Sequence, residues 1–389
     1  MSVDRRTFLK SSALIGGALS LAGFPALAQG MTADGIAASA LVPTVQKAPA
    51  KLRILILGGT GFIGPGEVRY AIERGHDVTL FQRGKTHAEL FPKVKKLVGD
   101  RNLPNGHDAL KGKKFDVVID NPTTLPQWVK GAGEALKGNV GHYIFVSTIS
   151  VFNDTSKPVD ENGPLFEPGP MDVSPEDARK GQNYGKLKVR SEIEAKNQFG
   201  SNVTIVRPGL IVGPGDLTDR FSYWPVRIEK GGEIMAPGTP NDPTQYIDAR
   251  DLGEWIVRLA ENKTFGTFNA TGPKTPTNMA EMLYGIKAVT TSDAHFTWVD
   301  SAFLRENHVA AWSDMPVWVP APSAMLQTIV AKAYAAGLTT RPLAVTAKDT
   351  LDWYHTRPPA EQEKLRSGIA PEREKTLLAA YNAKKGNGG

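Results

Sequence analysis

The chain has 389 residues, 41% of them hydrophobic, a net charge of +6 and no cysteine. That length admits one large domain, or one domain with a smaller lobe. The mild charge, with no Lys/Arg run interleaved with aromatics, does not point to nucleic acid, and the lack of cysteine excludes disulfides, thiolate metal sites and cysteine nucleophiles.

In chain order, the first readable stretch is Asp4-Arg5-Arg6-Thr7-Phe8-Leu9-Lys10. It is a twin-arginine motif, followed by an apolar Gly/Ala-rich run from Ala13 to Ala26 and by Ala26-Leu27-Ala28, which fits small-x-small cleavage. These features predict a twin-arginine (Tat) signal peptide over residues 1–28, passage through the Tat translocase, and a periplasmic or other extracytoplasmic location, with Gln29 first in the mature chain. Gly16, Gly17, Gly23 and Pro25 weaken a spanning helix there. No later segment is long and apolar enough to cross a bilayer, so no stable membrane span is expected after cleavage. The twin-arginine route carries folded proteins, which suits a protein loaded with its cofactor before export. Residues 29–50, rich in Ala, Thr and Pro, read as a linker.

Leu52 to Leu57 predicts a first strand, followed by a glycine turn and a helix from near Gly61 to Arg74. Further strands are expected at Asp77–Phe81, Lys96–Val98, Phe115–Ile119, His142–Val146 and Val203–Val206, with a helix over Tyr184–Asn197. Apolar strands alternating with helical stretches imply βαβ units, hence the α/β class with a doubly wound parallel Rossmann sheet. After Arg207-Pro208-Gly209 the pattern loosens. Helices near Asp251–Ala260, Asn278–Gly285, Ser323–Ala336 and Glu372–Asn382 predict a smaller C-terminal lobe. The expected division is a dinucleotide-binding domain over 51–215 and 244–270, and a substrate-binding lobe over 216–243 and 271–389.

Gly58-Gly59-Thr60-Gly61-Phe62-Ile63-Gly64 follows the first strand and opens a helix. Glycines there allow a tight turn and close backbone approach to a pyrophosphate, and the helix start offers free N–H groups to the anion. The second strand ends Phe81-Gln82-Arg83-Gly84-Lys85, without the acidic residue that usually binds an NAD ribose. A guanidinium suits a 2′-phosphate, so Arg83 favours NADP over NAD; the bland alternative is Arg83 stacked on the adenine of NAD. Asp100 and Arg101, after the third strand, are placed to meet the adenine ring, and Asn121 and Pro208 are expected beside the cofactor.

Together with this turn, Ser147-Thr148 after the fifth strand and Tyr184-Gly185-Lys186-Leu187-Lys188 resemble the short-chain dehydrogenase/reductase superfamily over about residues 51–270. The Gly58-x-x-Gly61-x-x-Gly64 spacing, Pro158-Val159-Asp160-Glu161 and Arg207-Pro208 are similar to landmarks of its extended branch, the NAD-dependent epimerase/dehydratase-like family. The resemblance implies that Tyr184 is the acid/base, that Lys188 holds the nicotinamide ribose, and that Thr148 orients the substrate oxygen, with Ser147 as runner-up. Tyr184 and Lys188 lie one helical turn apart. A phenol with a pKa of about 10 is a poor base at neutral pH, so the Lys188 ammonium is expected to lower it.

The sugar 4,6-dehydratases of the branch carry an acidic pair after the catalytic Ser/Thr; Ile149 and Ser150 stand here, which disfavours dehydration. The branch's nucleotide-sugar enzymes often have an arginine where Thr244 stands, before Gln245-Tyr246-Ile247-Asp248, which puts a UDP- or dTDP-sugar in doubt. Arg220, Tyr223, Trp224 and Gln245 are candidate substrate-pocket residues, and Pro-rich residues 157–183 read equally as a lid or a surface loop. His76, His87, His107, His142, His295, His308 and His355 are scattered, so no metal site is expected.

Free NADP is not expected outside the cytoplasm, so an exported enzyme must regenerate its cofactor within each cycle. The leading expectation is an epimerase or redox isomerase of a sugar or polyol. The alternative is a net NADP-dependent dehydrogenase or reductase acting on a small molecule. The resemblance also reaches chloroplast stem-loop RNA-binding proteins and non-catalytic NADP sensors, against which the Tyr184/Lys188 pair and the lack of a basic stripe argue. The branch often forms homodimers; the sequence leaves the oligomeric state and the substrate open.

Overall fold

The computed structural model describes residues 45–121 and 125–386. The twin-arginine segment and most of the expected linker lie outside the described residues. The last part of that linker is tied down: Ala48 N–H donates to the Arg74 carbonyl at 2.9 Å, and Lys47 Nζ to that of Glu73 at 2.9 Å.

The central sheet uses β1 (Arg53–Leu57), β2 (Asp77–Gln82), β3 (Lys95–Val98), β4 (Phe115–Asp120), β5 (Val140–Val146), β6 (Val203–Pro208) and β10 (Gly266–Ala270). Its order is β10-β6-β5-β4-β1-β2-β3, and every pair is parallel. Alternate side chains leave a strand on opposite faces. Ile54 and Ile56 therefore join one apolar layer, and Leu55 and Leu57 the other. The first layer is closed by α1 (Gly64–Arg74) and α5 (Ala249–Glu261), through Val68, Ala71, Leu252, Trp255 and Ile256. The second is closed by α2 (Pro126–Leu136) and α3 (Tyr184–Phe199), through Val129, Ala132, Leu136 and Ala195. Covering both faces explains why the strands read as near-continuous apolar runs.

Helix α2 carries a weak sequence signal because Gly131 and Gly133 interrupt it. A Cβ on Gly131 would sit 2.5 Å from His107 Cε1, and one on Gly133 2.4 Å from Gln198 Cγ. The expected helix over Ser323–Ala336 is replaced by a single turn at Met325–Gln327 and a short helix, Ala331–Ala335. Backbone N–H groups there bond elsewhere: Thr328 to the Gln245 side chain and Ile329 to the Val159 carbonyl.

The C-terminal lobe contains α4 (Tyr223–Glu229), α6 (Met279–Lys287), α7 (Ser301–Glu306), α8 (Leu343–His355) and α9 (Pro371–Gly386). A two-stranded parallel pair, β8 (Glu233–Pro237) with β12 (His295–Val299), packs with them around Trp224, Met282, Leu283, Trp318 and Tyr381. A small sheet of β7 (Ile211–Val212), β9 (Pro243–Asp248) and β11 (Gly272–Asn278) completes the set. Among the described residues, no helix is long and apolar enough to cross a membrane.

Candidate functional site

A cavity of about 1060 Å³ opens at the carboxyl ends of β1 and β4, where the sheet order reverses. Open α/β sheets bind ligands at this switch point. Gly58, Thr60, Gly61, Phe62, Ile63, Gly64, Arg83, Asp100, Arg101, Asn121, Ser147, Thr148, Tyr184, Pro208 and Arg220 all line it. The chain thus brings together residues spread over more than 160 positions.

The glycine turn is shaped for a bound anion. Gly58 and Gly59 have φ of +109° and +92°, which L side chains rarely adopt. A Cβ on Gly64 would lie 2.4 Å from Gly59 Cα, so the start of α1 rests against the turn's backbone. No side chain caps α1, which leaves its first N–H groups for a ligand. Gln82 is buried and accepts a hydrogen bond from Thr60 Oγ1 at 3.0 Å, while Arg83 and Lys85 are exposed on the cavity wall.

Asn121 donates to Glu67 Oε2 at 2.7 Å, and its Oδ1 is buried without a partner among the described residues. Glu67 is fully buried, and burial pushes its carboxyl up to about 8, against the pull of the Asn121 hydrogen bond. Its Oε1 is buried with no partner among the described residues, and burial favours the protonated acid there. These features fit a nicotinamide dinucleotide: uncapped helix-start N–H groups, glycines at positive φ that allow close backbone approach, and an orphaned amide oxygen.

Thr148 Oγ1 accepts the Ser150 N–H at 3.1 Å, and Thr148 and Tyr184 line the same cavity. Burial pushes the Tyr184 phenol up, while the Thr148 hydrogen bond and the Arg220 charge pull it down.

Several expected roles need correction. Lys188 is fully buried and does not line the cavity; its Nζ donates to the Val146 carbonyl at 2.8 Å and lies 5.0 Å from the Phe145 ring. Burial lowers its amine to about 7, against the pull of Asp120 and Glu192. It is not among the groups that shift Tyr184. Ser147 is committed to a buried ion pair: its Oγ donates to Glu192 Oε1 at 2.5 Å, and Arg207 holds Glu192 with both Nε and Nη2. Arg101 reaches the cavity, but its guanidinium clamps Asp120 at 2.7 and 2.9 Å, so it is not free for an adenine. Asp100 accepts the Asn102 amides.

Tyr223 and Trp224 belong to the core of the lobe, where α4 turns both inward; Trp224 Nε1 donates to the Pro316 carbonyl at 2.8 Å. Gln245 spends both ends of its amide on the Thr328 backbone, each at 2.9 Å, and lies outside the cavity. Residues 157–183 are stitched down in part: Glu161 Oε1 accepts the Asn269 N–H, Gly169 N–H donates to the Lys186 carbonyl, and Gln127 Nε2 reaches the Val173 carbonyl.

Sequence reasoning missed Asp216, Trp312 and Met325, which line the cavity. A polar run directly after Gly213-Pro214-Gly215, past a strand end, is a signal that could have found Asp216. Trp312 and Met325 arrive from distant chain and carry no local signal. Among the described residues, no cluster of three His, Asp or Glu side chains could hold a metal ion.

Comparison with known proteins places this geometry. The NAD dependent epimerase/dehydratase family model matches residues 54–270. The chain is 29% identical over 245 residues to the chloroplast stem-loop binding protein of 41 kDa b from Arabidopsis thaliana, covering 58% of this chain and 60% of that protein. It is 27% identical over 226 residues to a 2-alkyl-3-oxoalkanoate reductase from Stenotrophomonas maltophilia, covering 53% and 65%. The chain thus spans under two thirds of either relative.

Among solved structures, the UDP-glucuronic acid 4-epimerase of Bacillus cereus in complex with NAD shares the fold at a TM-score of 0.55 and 16% identity, covering 77% of this chain and 98% of that one. The human epimerase family protein SDR39U1 with NADPH does so at 0.54 and 18%, covering 77% and 99%. A glycine-turn Rossmann domain with a C-terminal lobe, matched by the family over more than half its length, identifies the chain as a member of the NAD-dependent epimerase/dehydratase family.

Proposed function

We propose that this protein is an NAD(P)-dependent epimerase or redox isomerase acting on a hydroxyl of a sugar or other polyol. We further propose that it is exported by the Tat route with its cofactor already bound. The observation that carries the reading is that Tyr184 and Thr148 line the same cavity as the glycine turn and the uncapped start of α1. When bound, the nicotinamide would supply hydride acceptance and return. Thr148 holds the substrate oxygen and Tyr184 takes its proton and later gives it back. The Arg220 charge favours the phenolate. Gly58 to Gly64 and the start of α1 would hold the pyrophosphate, and Glu67 keeps Asn121 oriented beside it.

Arg83 and Lys85 at the end of β2 support NADP over NAD, since both present positive charge where a ribose 2′-phosphate would lie. Releasing the cofactor from purified protein and weighing it tests this: NAD alone overturns the preference. Arg83→Ala is expected to weaken NADPH binding roughly tenfold or more, with little effect on NADH, by fluorescence titration. Turnover of a polyol without added nicotinamide supports the internal-redox reading; a steady absorbance change that requires added cofactor sinks it. The second reading, net reduction, draws on the similarity to a 2-alkyl-3-oxoalkanoate reductase. The similarity to a stem-loop binding protein leaves RNA as a third, and a gel shift persisting in physiological salt would favour it.

A further inference from the structure

We propose that the substrate end of the cavity is built for an uncharged, ring-shaped polyol carrying no nucleotide, and that Asp216 reads one of its hydroxyls. The proposal rests on the redox reading above and narrows its substrate.

Asp216 lines the cavity and is 2% exposed. Its Oδ1 accepts both the Thr218 N–H, at 2.9 Å, and the Thr218 hydroxyl, at 2.6 Å. Its Oδ2 is buried and has no partner among the described residues. A carboxylate held so firmly by one oxygen and left bare at the other is costly unless a ligand completes it. Thr218 also links it to Arg220, whose Nε donates to Thr218 Oγ1 at 3.0 Å. Beyond that bond, the Arg220 guanidinium makes no other hydrogen bond or ion pair among the described residues, and it lies 5.7 Å from the Trp312 ring centroid.

Asp216 and Arg220 are therefore joined through a shared threonine and form no direct ion pair. Each keeps hydrogen-bonding capacity toward one cavity. A carboxylate accepts from one hydroxyl while a neighbouring guanidinium donates to the next, which is the complement of a vicinal diol. Trp312 and Met325 add apolar surface for the C–H side of a ring.

The charge count argues against a nucleotide-linked substrate. The cationic residues lining the cavity are Arg83, Lys85, Arg101 and Arg220. The first two stand at the end of β2, on the cofactor side, and Arg101 is consumed by Asp120. Arg220 alone remains, offset by Asp216, where a diphosphate would need two charges balanced. Thr244 offers no cation either; it is buried, its hydroxyl directed at the Val317 carbonyl.

The test is calorimetric titration of the purified, cofactor-containing protein with free hexopyranoses, myo-inositol, single-deoxy hexopyranoses, glucuronate and UDP-glucose. Uncharged polyols are expected to bind, one deoxy analogue markedly more weakly than its parent. Asp216→Asn should weaken the best polyol roughly 10- to 100-fold and erase the discrimination against that analogue. Its cofactor content and melting temperature should stay near wild type. Arg220→Gln should likewise weaken polyol binding. Tighter binding of UDP-glucose or glucuronate than of every uncharged polyol overturns the proposal, as does failure of all polyols to bind, or an Asp216→Asn variant that binds and discriminates like wild type. The redox reading fails separately, when a polyol binds but the bound nicotinamide never changes its absorbance.

Discussion

At the scale of single residues, the site distinguishes hydroxyls that face the cavity freely from hydroxyls already spent. On the proposed function Tyr184 is the proton-transfer group, so Tyr184→Phe is expected to slow hydride transfer by roughly 10²- to 10⁴-fold in a single-turnover measurement, with cofactor affinity unchanged. Thr148 and Ser147 are neighbours with opposite expectations. Thr148→Ala should cost activity at near-normal stability, because Thr148 lines the cavity beside Tyr184 and its hydroxyl accepts only the Ser150 N–H among the described residues. Ser147→Ala should leave most of the activity, because its hydroxyl is bonded to Glu192. An equal loss of turnover in both variants would contradict these assignments. Residue types were legible in sequence here, but commitments were not. The Ser147 hydroxyl is claimed by Glu192, 45 positions away, and the Lys188 amine by the Val146 carbonyl, 42 away. No local pattern announces such a partner.

Among elements, the turn between β1 and α1 sets backbone against backbone. Gly64→Ala would drive a methyl to 2.4 Å from Gly59 Cα, against backbone that cannot rotate aside. The expected result is loss of dinucleotide binding together with a fall of about 2–4 kcal/mol in unfolding free energy, read by urea titration. The joint between α3 and β6 is the buried Glu192–Arg207 pair, with side chains about 3% exposed. Glu192→Ala strands the Arg207 charge and should cost about 3–5 kcal/mol by the same measurement, whereas replacing both partners with apolar residues should cost far less. Strands β1, β2, β4, β5 and β6 were legible because their apolar runs are buried on both faces. Helix α2, with Gly131 and Gly133 in its interior, and the short strands of the lobe were not. Their stability comes from packing against other elements rather than from local preference.

For the molecule as a whole, stability should depend on pH from both sides. His107 is half-buried and His142 buried, and burial lowers each to about 4. Between pH 6.5 and 4 the unfolded chain binds protons that the folded chain refuses, so stability falls as pH drops through that window, by at most about 1.4 kcal/mol per unit for each group. Glu67 works in the other direction. Its folded carboxyl, at about 8, holds a proton that the unfolded one releases near 4.5, so stability falls as pH rises between those values. Glu67→Gln keeps an acceptor for Asn121 and removes that dependence. Its stability relative to wild type should grow from pH 5 to pH 9 in urea titrations; a flat difference would mean that Glu67 ionises normally in the fold.

The sequence by itself determined the parallel α/β sheet, the dinucleotide turn and the family, because each is written in short-range signals: apolar runs, glycine spacing and a Tyr-x-x-x-Lys register on one helix. Tertiary structure alone decided which polar atoms remain free. Arg101, Ser147, Lys188 and Gln245 are engaged by distant partners, Tyr223 and Trp224 are packed into the lobe, and cavity-lining Asp216 has one oxygen without a partner among the described residues. The reason is physical. A buried polar group must find a partner, and in a doubly wound fold that partner comes from another strand or helix far away in the chain.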